Sequence, residues 1–153
     1  MRVEVVERGV AETISAGPVT IRILEDGTHT HHRLGLVELT IPPGTEGPPQ
    51  HIHYEHDETF FVISGTPTFA SGDQTIAARP GTLVTAMPGT PHTFANPGAQ
   101  TVVMLCTVTP DRYIGFFREL AALRPGPNGV EPHAVAQVMA HYATEVPPPT
   151  TPH

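Results

Sequence analysis

The chain is 153 residues long, enough for one domain with its own core. It carries eight arginines, no lysine and 15 carboxylates, giving a net charge of −7 with histidine neutral. That balance leaves no basic surface to neutralise phosphates, so neither nucleic acid nor an anionic membrane is an expected partner.

The 14 glycines and 18 prolines, about a fifth of the chain, predict many turns. A single cysteine, Cys106, excludes an internal disulfide framework. No apolar run approaches the length of a membrane span. The opening MRVEVVERGVAE places charges where a signal peptide needs an apolar centre. A soluble protein of the reducing cytoplasm is expected.

In chain order, β-branched runs at 3–6 (VEVV) and 19–24 (VTIRIL) predict two early strands. Asp26-Gly27 predicts a hairpin turn, flanked by His29, His31 and His32. These histidines are read as turn residues in preference to a second metal site. Alternation resumes at 33–42, with Leu34, Leu36 and Glu38 on one side and Val37, Leu39 and Ile41 on the other. PPGTEGPP at 42–49 is a loop, because paired prolines cannot sit inside a sheet. Further short strands are predicted at 50–54, 58–64, 66–71, 74–78, 82–87, 92–95 and 101–109, separated by glycine- and proline-bearing turns. Such a series argues for a sandwich or barrel, with Cys106 in its core. After Pro110 the period changes. Residues 112–124 and 132–143 predict two short helices, with Phe116 and Phe117 packing the first onto the barrel. The expected organisation is a β barrel over 1–110, a helical extension of the same domain over 111–145, and a loose proline-rich tail over 146–153.

The ten histidines cluster, and the informative stretch is QHIHYEHDETFFVISG at 50–65. His51 and His53 are two apart in a strand, so they point the same way. Glu58 shares its strand face with Phe60 and Val62. A hairpin would bring His51, His53 and Glu58 to one point, and His92, beside the Pro88-Gly89 turn, is the candidate fourth ligand. Three imidazoles and a carboxylate suit one divalent transition metal: Fe, Mn, Ni, Cu or Zn. Phe94 and Asn96 share a face with His92. The same parity therefore predicts a substrate pocket walled by Phe60, Val62, Phe94 and Asn96, with Glu38 near the mouth. Such a wall favours a flat, apolar or aromatic substrate. No arginine clamp stands beside these residues in the sequence; Arg22 or Arg33 could reach in, and strand parity does not decide between inward and outward. His56 is read as a solvated turn residue.

These two stretches resemble the paired motifs of the cupin superfamily. In the first, His51 and His53 are followed by Glu58 and Gly65; in the second, Gly81 and Gly89 precede His92 and Asn96. Two positions depart from the pattern. Thr45 stands where an opening glycine is usual, with Gly44 beside it, and Met87 stands where a proline is usual. Neither is a ligand position. The resemblance implies an all-β jelly-roll barrel, the cupin double-stranded β-helix, with a metal at its mouth and the short C-terminal helices packed on it. The helical tail is similar to that of small single-domain, quercetin-dioxygenase-like cupins.

What the resemblance implies for function is a metal-dependent dioxygenase acting on a small enol or phenol, with Glu58 as ligand or base. The alternatives are a non-redox cyclase, isomerase or decarboxylase using the metal as a Lewis acid, or a small-molecule-binding cupin without catalysis. A homodimer is also implied, with the strands at 3–6 and 19–24 as candidate pairing elements.

Overall fold

A computed structural model describes residues 2–148. Residues 149–153 of the expected loose tail lie outside the described residues. The strands are β1 (Glu12–Ala16), β2 (Val19–Glu25), β3 (Gly35–Ile41), β4 (Ile52–His53), β5 (Asp57–Ser64), β6 (Thr68–Ser71), β7 (Gln74–Ala77), β8 (Leu83–Ala86), β9 (Thr93–Ala95), β10 (Val102–Thr109) and β11 (Thr144–Glu145). Two helices, α1 (Tyr113–Ala122) and α2 (Pro132–His141), fall between β10 and β11.

Six strands form one antiparallel sheet in the order β1-β2-β3-β10-β5-β8. Strands β7-β6-β9 form a second sheet, and β4 pairs with β11. The inward faces bury Ile21, Ile23, Val37, Leu39, Ile41, Phe60, Val62, Val102, Met104, Cys106 and Val108 in one core. Strict alternation along β10, buried at every second residue from Val102 to Val108, reflects the strand period of two with one wet face. Phe69 closes the core from the smaller sheet, and Tyr113, Ile114 and Phe117 close it from α1. Gly35 lets that helix approach, because a Cβ there would lie 2.6 Å from Ile114. This jelly-roll arrangement with short C-terminal helices is the expected all-β class.

Two early elements differ from expectation. Residues 3–6 form no strand, and Val3 and Val5 are 87% and 79% exposed. The strand lies at 12–16 instead, where β1 pairs with β2 across the Gly17-Pro18 turn. Local β propensity at 3–6 has no partner strand among the described residues to satisfy its backbone groups, so it is not realised. The short β11 also went unforeseen. Thr144-Glu145 has too few residues to show a period, and its pairing with β4 is a purely tertiary event.

Candidate metal centre

Three backbone devices bring the histidines together. His51 and His92 form an antiparallel bridge, with His51 N–H donating to His92 O at 3.1 Å and the return bond at 3.0 Å. His53 sits in β4, opposite Thr144 of β11, and its carbonyl accepts from Gly89 N–H at 2.8 Å. Gly89 has φ of 83°, a left-handed conformation that glycine adopts without strain. Glu58 lies in β5 between Val108 of β10 and Ala86 of β8, an interior position of the large sheet.

The side chains then converge. His53 Nε2 and His92 Nε2 each lie 3.1 Å from Glu58 Oε2. The rings of His51 and His92 are 4.6 Å apart, and those of His53 and His92 4.8 Å. Ligand atoms of His51, Glu58 and His92 all lie within 4.8 Å of one another. His53, Glu58 and His92 are buried and His51 is half-buried.

The histidine tautomers are set from behind. His51 Nδ1 is 3.1 Å from Pro49 O and His92 Nδ1 is 2.9 Å from Thr90 O. A carbonyl only accepts, so each Nδ1 carries the proton and each Nε2 lone pair faces the cluster. A neutral His92 ring cannot also donate to Glu58. Nitrogen lone pairs meeting a carboxylate oxygen in a buried space form a donor set for a cation, and the residues fit a divalent transition metal.

Electrostatics agree. Burial would raise the Glu58 carboxyl, but His53 and His92, which donate to it from Nε2 when protonated there, outweigh burial and hold the group well below the ordinary carboxylate range. Burial pushes the Cys106 thiol well up, so it stays protonated and donates to Glu58 Oε1 at 3.2 Å. Glu58 thus presents one oxygen to the thiol and the other to the histidines.

The predicted pocket residues fare differently. Phe60 is buried, with its ring 6.3 Å from that of His92 and 5.7 Å from that of Phe94, so an apolar wall stands beside the cluster. Val62 lies farther along β5 opposite Met104, inside the packed core. Asn96 is a correction. Its Nδ2 donates to the carbonyls of Ile41, Pro42 and Gln100, and its Oδ1 accepts from Gly98 N–H. It clamps a loop and has no free polar group for a substrate.

Glu38 is a second correction. It is buried on the outer face of the sheet, opposite outward-facing Leu105, where it binds Arg22 at 2.6 Å and Arg8 at 2.9 Å. Arg22 is thereby turned away from the cluster, and Arg33 is exposed. The THTHHR histidines form no metal-holding group among the described residues. His29 contacts Glu25, and His32 contacts Asp111.

His56 departs most from its expected place. It is 5% exposed, stacks on His53, and has a buried Nε2 without a hydrogen-bond partner among the described residues. Burial, with the nearby His53 ring, lowers its pKa to about 4. Beside it is a cavity of about 70 Å³ bordered by Glu55, Pro110, Arg112, Tyr113 and Tyr142. Nothing in a turn-like HDE segment signals this, because the covering groups come from the C-terminal extension.

No curated protein matches this sequence significantly. Among solved structures, a predicted oxalate decarboxylase from Thermotoga maritima is similar at 20% identity and TM-score 0.63, covering 70% of this chain and 99% of that one. The polyketide cyclase RemF from Streptomyces resistomycificus is similar at 24% identity and TM-score 0.61, over 71% of this chain and 80% of its own. A sugar phosphate isomerase of the cupin superfamily from Silicibacter pomeroyi DSS-3 shows 18% identity and TM-score 0.63, over 69% and 75%. Residues 37–108, which include all four converging side chains, match the family model described as a cupin domain. The motif spacing, the barrel and this match agree: residues 37–108 of this chain are a cupin domain.

Proposed function

We propose that this protein is a metal-dependent cupin enzyme in which His51, His53, Glu58 and His92 hold one divalent transition metal. The observation that carries this is the convergence of His53 Nε2 and His92 Nε2 on Glu58 Oε2, with the His51 ring 4.6 Å from that of His92. A metal there supplies Lewis acidity to an oxygen of an enol or phenol substrate and, if it is Fe, Mn, Ni or Cu, redox partnership with dioxygen. Four protein ligands leave positions open on a five- or six-coordinate ion, the layout of a catalytic rather than a closed site.

The chain's own residues supply the rest. Phe60 and Phe94 present an apolar surface that orients a flat ring and excludes water. Glu58 acts as ligand, since a carboxyl held so low is a poor proton acceptor near neutrality. Dioxygenation of a small aromatic or enolic substrate is the first reading. Non-redox cyclisation, isomerisation or decarboxylation is the second, favoured by the Cys106 thiol behind Glu58, an oxidisable group at a ligand's back. The activities named for the similar cyclase and isomerase also lean that way.

The partners in this reading are a small-molecule substrate and a second copy of the chain, with no nucleic acid. The exposed Val3 and Val5 and the charge of −7 support it. The reduced, buried Cys106 supports a cytoplasmic setting. No helix among the described residues is long and apolar enough to cross a membrane.

Elemental analysis of the protein beside a His51→Ala/His92→Ala variant tests the metal. About one equivalent, lost in the variant, is expected. Equal metal in both, or none in either after metal-supplemented growth, overturns it and leaves the non-catalytic binding reading. Oxygen consumption with enol and phenol substrates then separates the two chemistries.

A further inference from the structure

The three histidines of the centre are not held alike. His51 and His92 are each anchored by Nδ1 on a backbone carbonyl, at 3.1 and 2.9 Å. His53 is wholly buried, yet its Nδ1 has no hydrogen-bond partner among the described residues. By hydrogen bonding, then, the most buried of the three is the least restrained. Something else must fix its ring, because a ligand free to turn loses the geometry a metal needs.

We propose that His56 is the positioning residue for His53, acting by ring stacking in place of the missing hydrogen bond; this rests on the metal-centre reading above. The rings of His53 and His56 lie 3.8 Å apart at 21°, a face-to-face stack. His56 is in turn 4.1 Å from Tyr113 at 33°, and Tyr113 is 4.4 Å from Phe116 at 8°. The column bends, with His53 and Tyr113 themselves 5.7 Å apart. It runs from helix α1 to the centre and is buried at His53, His56 and Tyr113. Thr144 fastens its side: its hydroxyl donates to Tyr113 Oη at 3.3 Å, and its backbone pairs with His53. The C-terminal extension therefore holds His53 both by its strand and by its ring.

His56 could instead be a ligand, since its nitrogens, those of His53 and the Glu58 carboxylate fall within 4.8 Å of one another. The stack argues against this. Nearly parallel stacked rings keep their in-plane lone pairs in two separate planes, and one ion beside the stack cannot lie in both.

Two variants separate the roles. His56→Phe keeps a stacking ring and removes both nitrogens; His56→Ala removes the ring. Cobalt(II) is titrated into chelator-stripped protein, following affinity and the visible ligand-field spectrum. Histidine ring NMR in the metal-free protein reports the ring-current shift on His53. Wild type and His56→Phe are expected to bind about one cobalt with affinities within about threefold and the same spectrum, whereas His56→Ala loses at least about tenfold and changes the spectrum. The His53 ring-current shift should persist in His56→Phe and vanish in His56→Ala.

Equal binding and spectra in all three proteins overturn the positioning role while leaving the metal reading intact. Weak binding by His56→Phe as well as His56→Ala makes the nitrogen a ligand and overturns the stack. A wild type that binds no cobalt yet shows the ring-current shift overturns the metal reading, and with it any role of the stack in binding.

Discussion

At the scale of single residues, Glu58 shows how one carboxylate is given two faces. Oε2 meets two imidazole nitrogens, and Oε1 meets the Cys106 thiol. With Oε1 held by the thiol, Oε2 is the oxygen that would be left to a bound cation. Cys106→Val, which fills the space without a donor, is expected to lower metal affinity about tenfold, and Cys106→Ser, which keeps a donor, to preserve it. Competition with a chromophoric chelator measures both. Loss in both variants would mean that packing, not the hydrogen bond, matters at this position. The converging side chains were legible because spacing and strand parity report direction: His51 and His53 share a face, and so do Glu58 and Phe60. Asn96 was misplaced because it follows the last residue of β9, where parity no longer applies and loop carbonyls capture the side chain.

At the scale of elements, β3 decides what Glu38 does. Both of its faces are largely apolar in sequence, so alternation separates them without saying which is inside. Register settles it: Val37 lies opposite Cys106 and faces the core, which sends Glu38 outward to Arg22 and Arg8. The Arg22 Nε is buried without a partner among the described residues, so its guanidinium depends on this carboxylate. Glu38→Gln is expected to cost about 1–3 kcal/mol at neutral pH and leave metal content unchanged. The hydrogen bond from Arg8, against a smaller opposing effect of burial, holds the Glu38 carboxyl below its ordinary value of 4.5. The stabilisation is therefore present above that pH and fades as acid protonates the group, so the gap between variant and wild type should close in acid. Urea melts at several pH values would show this. Loss of metal in the variant would return Glu38 to the site.

At the scale of the whole molecule, the barrel and the extension share the centre. The barrel supplies all four converging side chains, and the extension contributes β11 beside His53 and the rings of α1 behind it. A chain ending at Tyr142 loses β11 and the Thr144 hydroxyl but keeps every ligand candidate. It is expected to retain its β circular-dichroism signature and to bind metal about tenfold more weakly. Unchanged affinity would show that the barrel alone holds β4.

The sequence by itself determined what depends on near neighbours. Period-two runs between glycine and proline turns settled the β class, and the change of period after Pro110 settled the helices. The His51, His53, Glu58 and His92 spacing settled which groups could meet. Only tertiary structure decided what depends on distant segments. The exposed valines at 3–6 stay unpaired for lack of a partner strand, and β11 exists because β4 offers it an edge. Glu38 faces outward because of its register with β10, and His56 is buried because Tyr113, some fifty-seven residues on, closes over it. Propensity and parity act over a few residues, whereas register, burial and stacking are set only when remote segments pack.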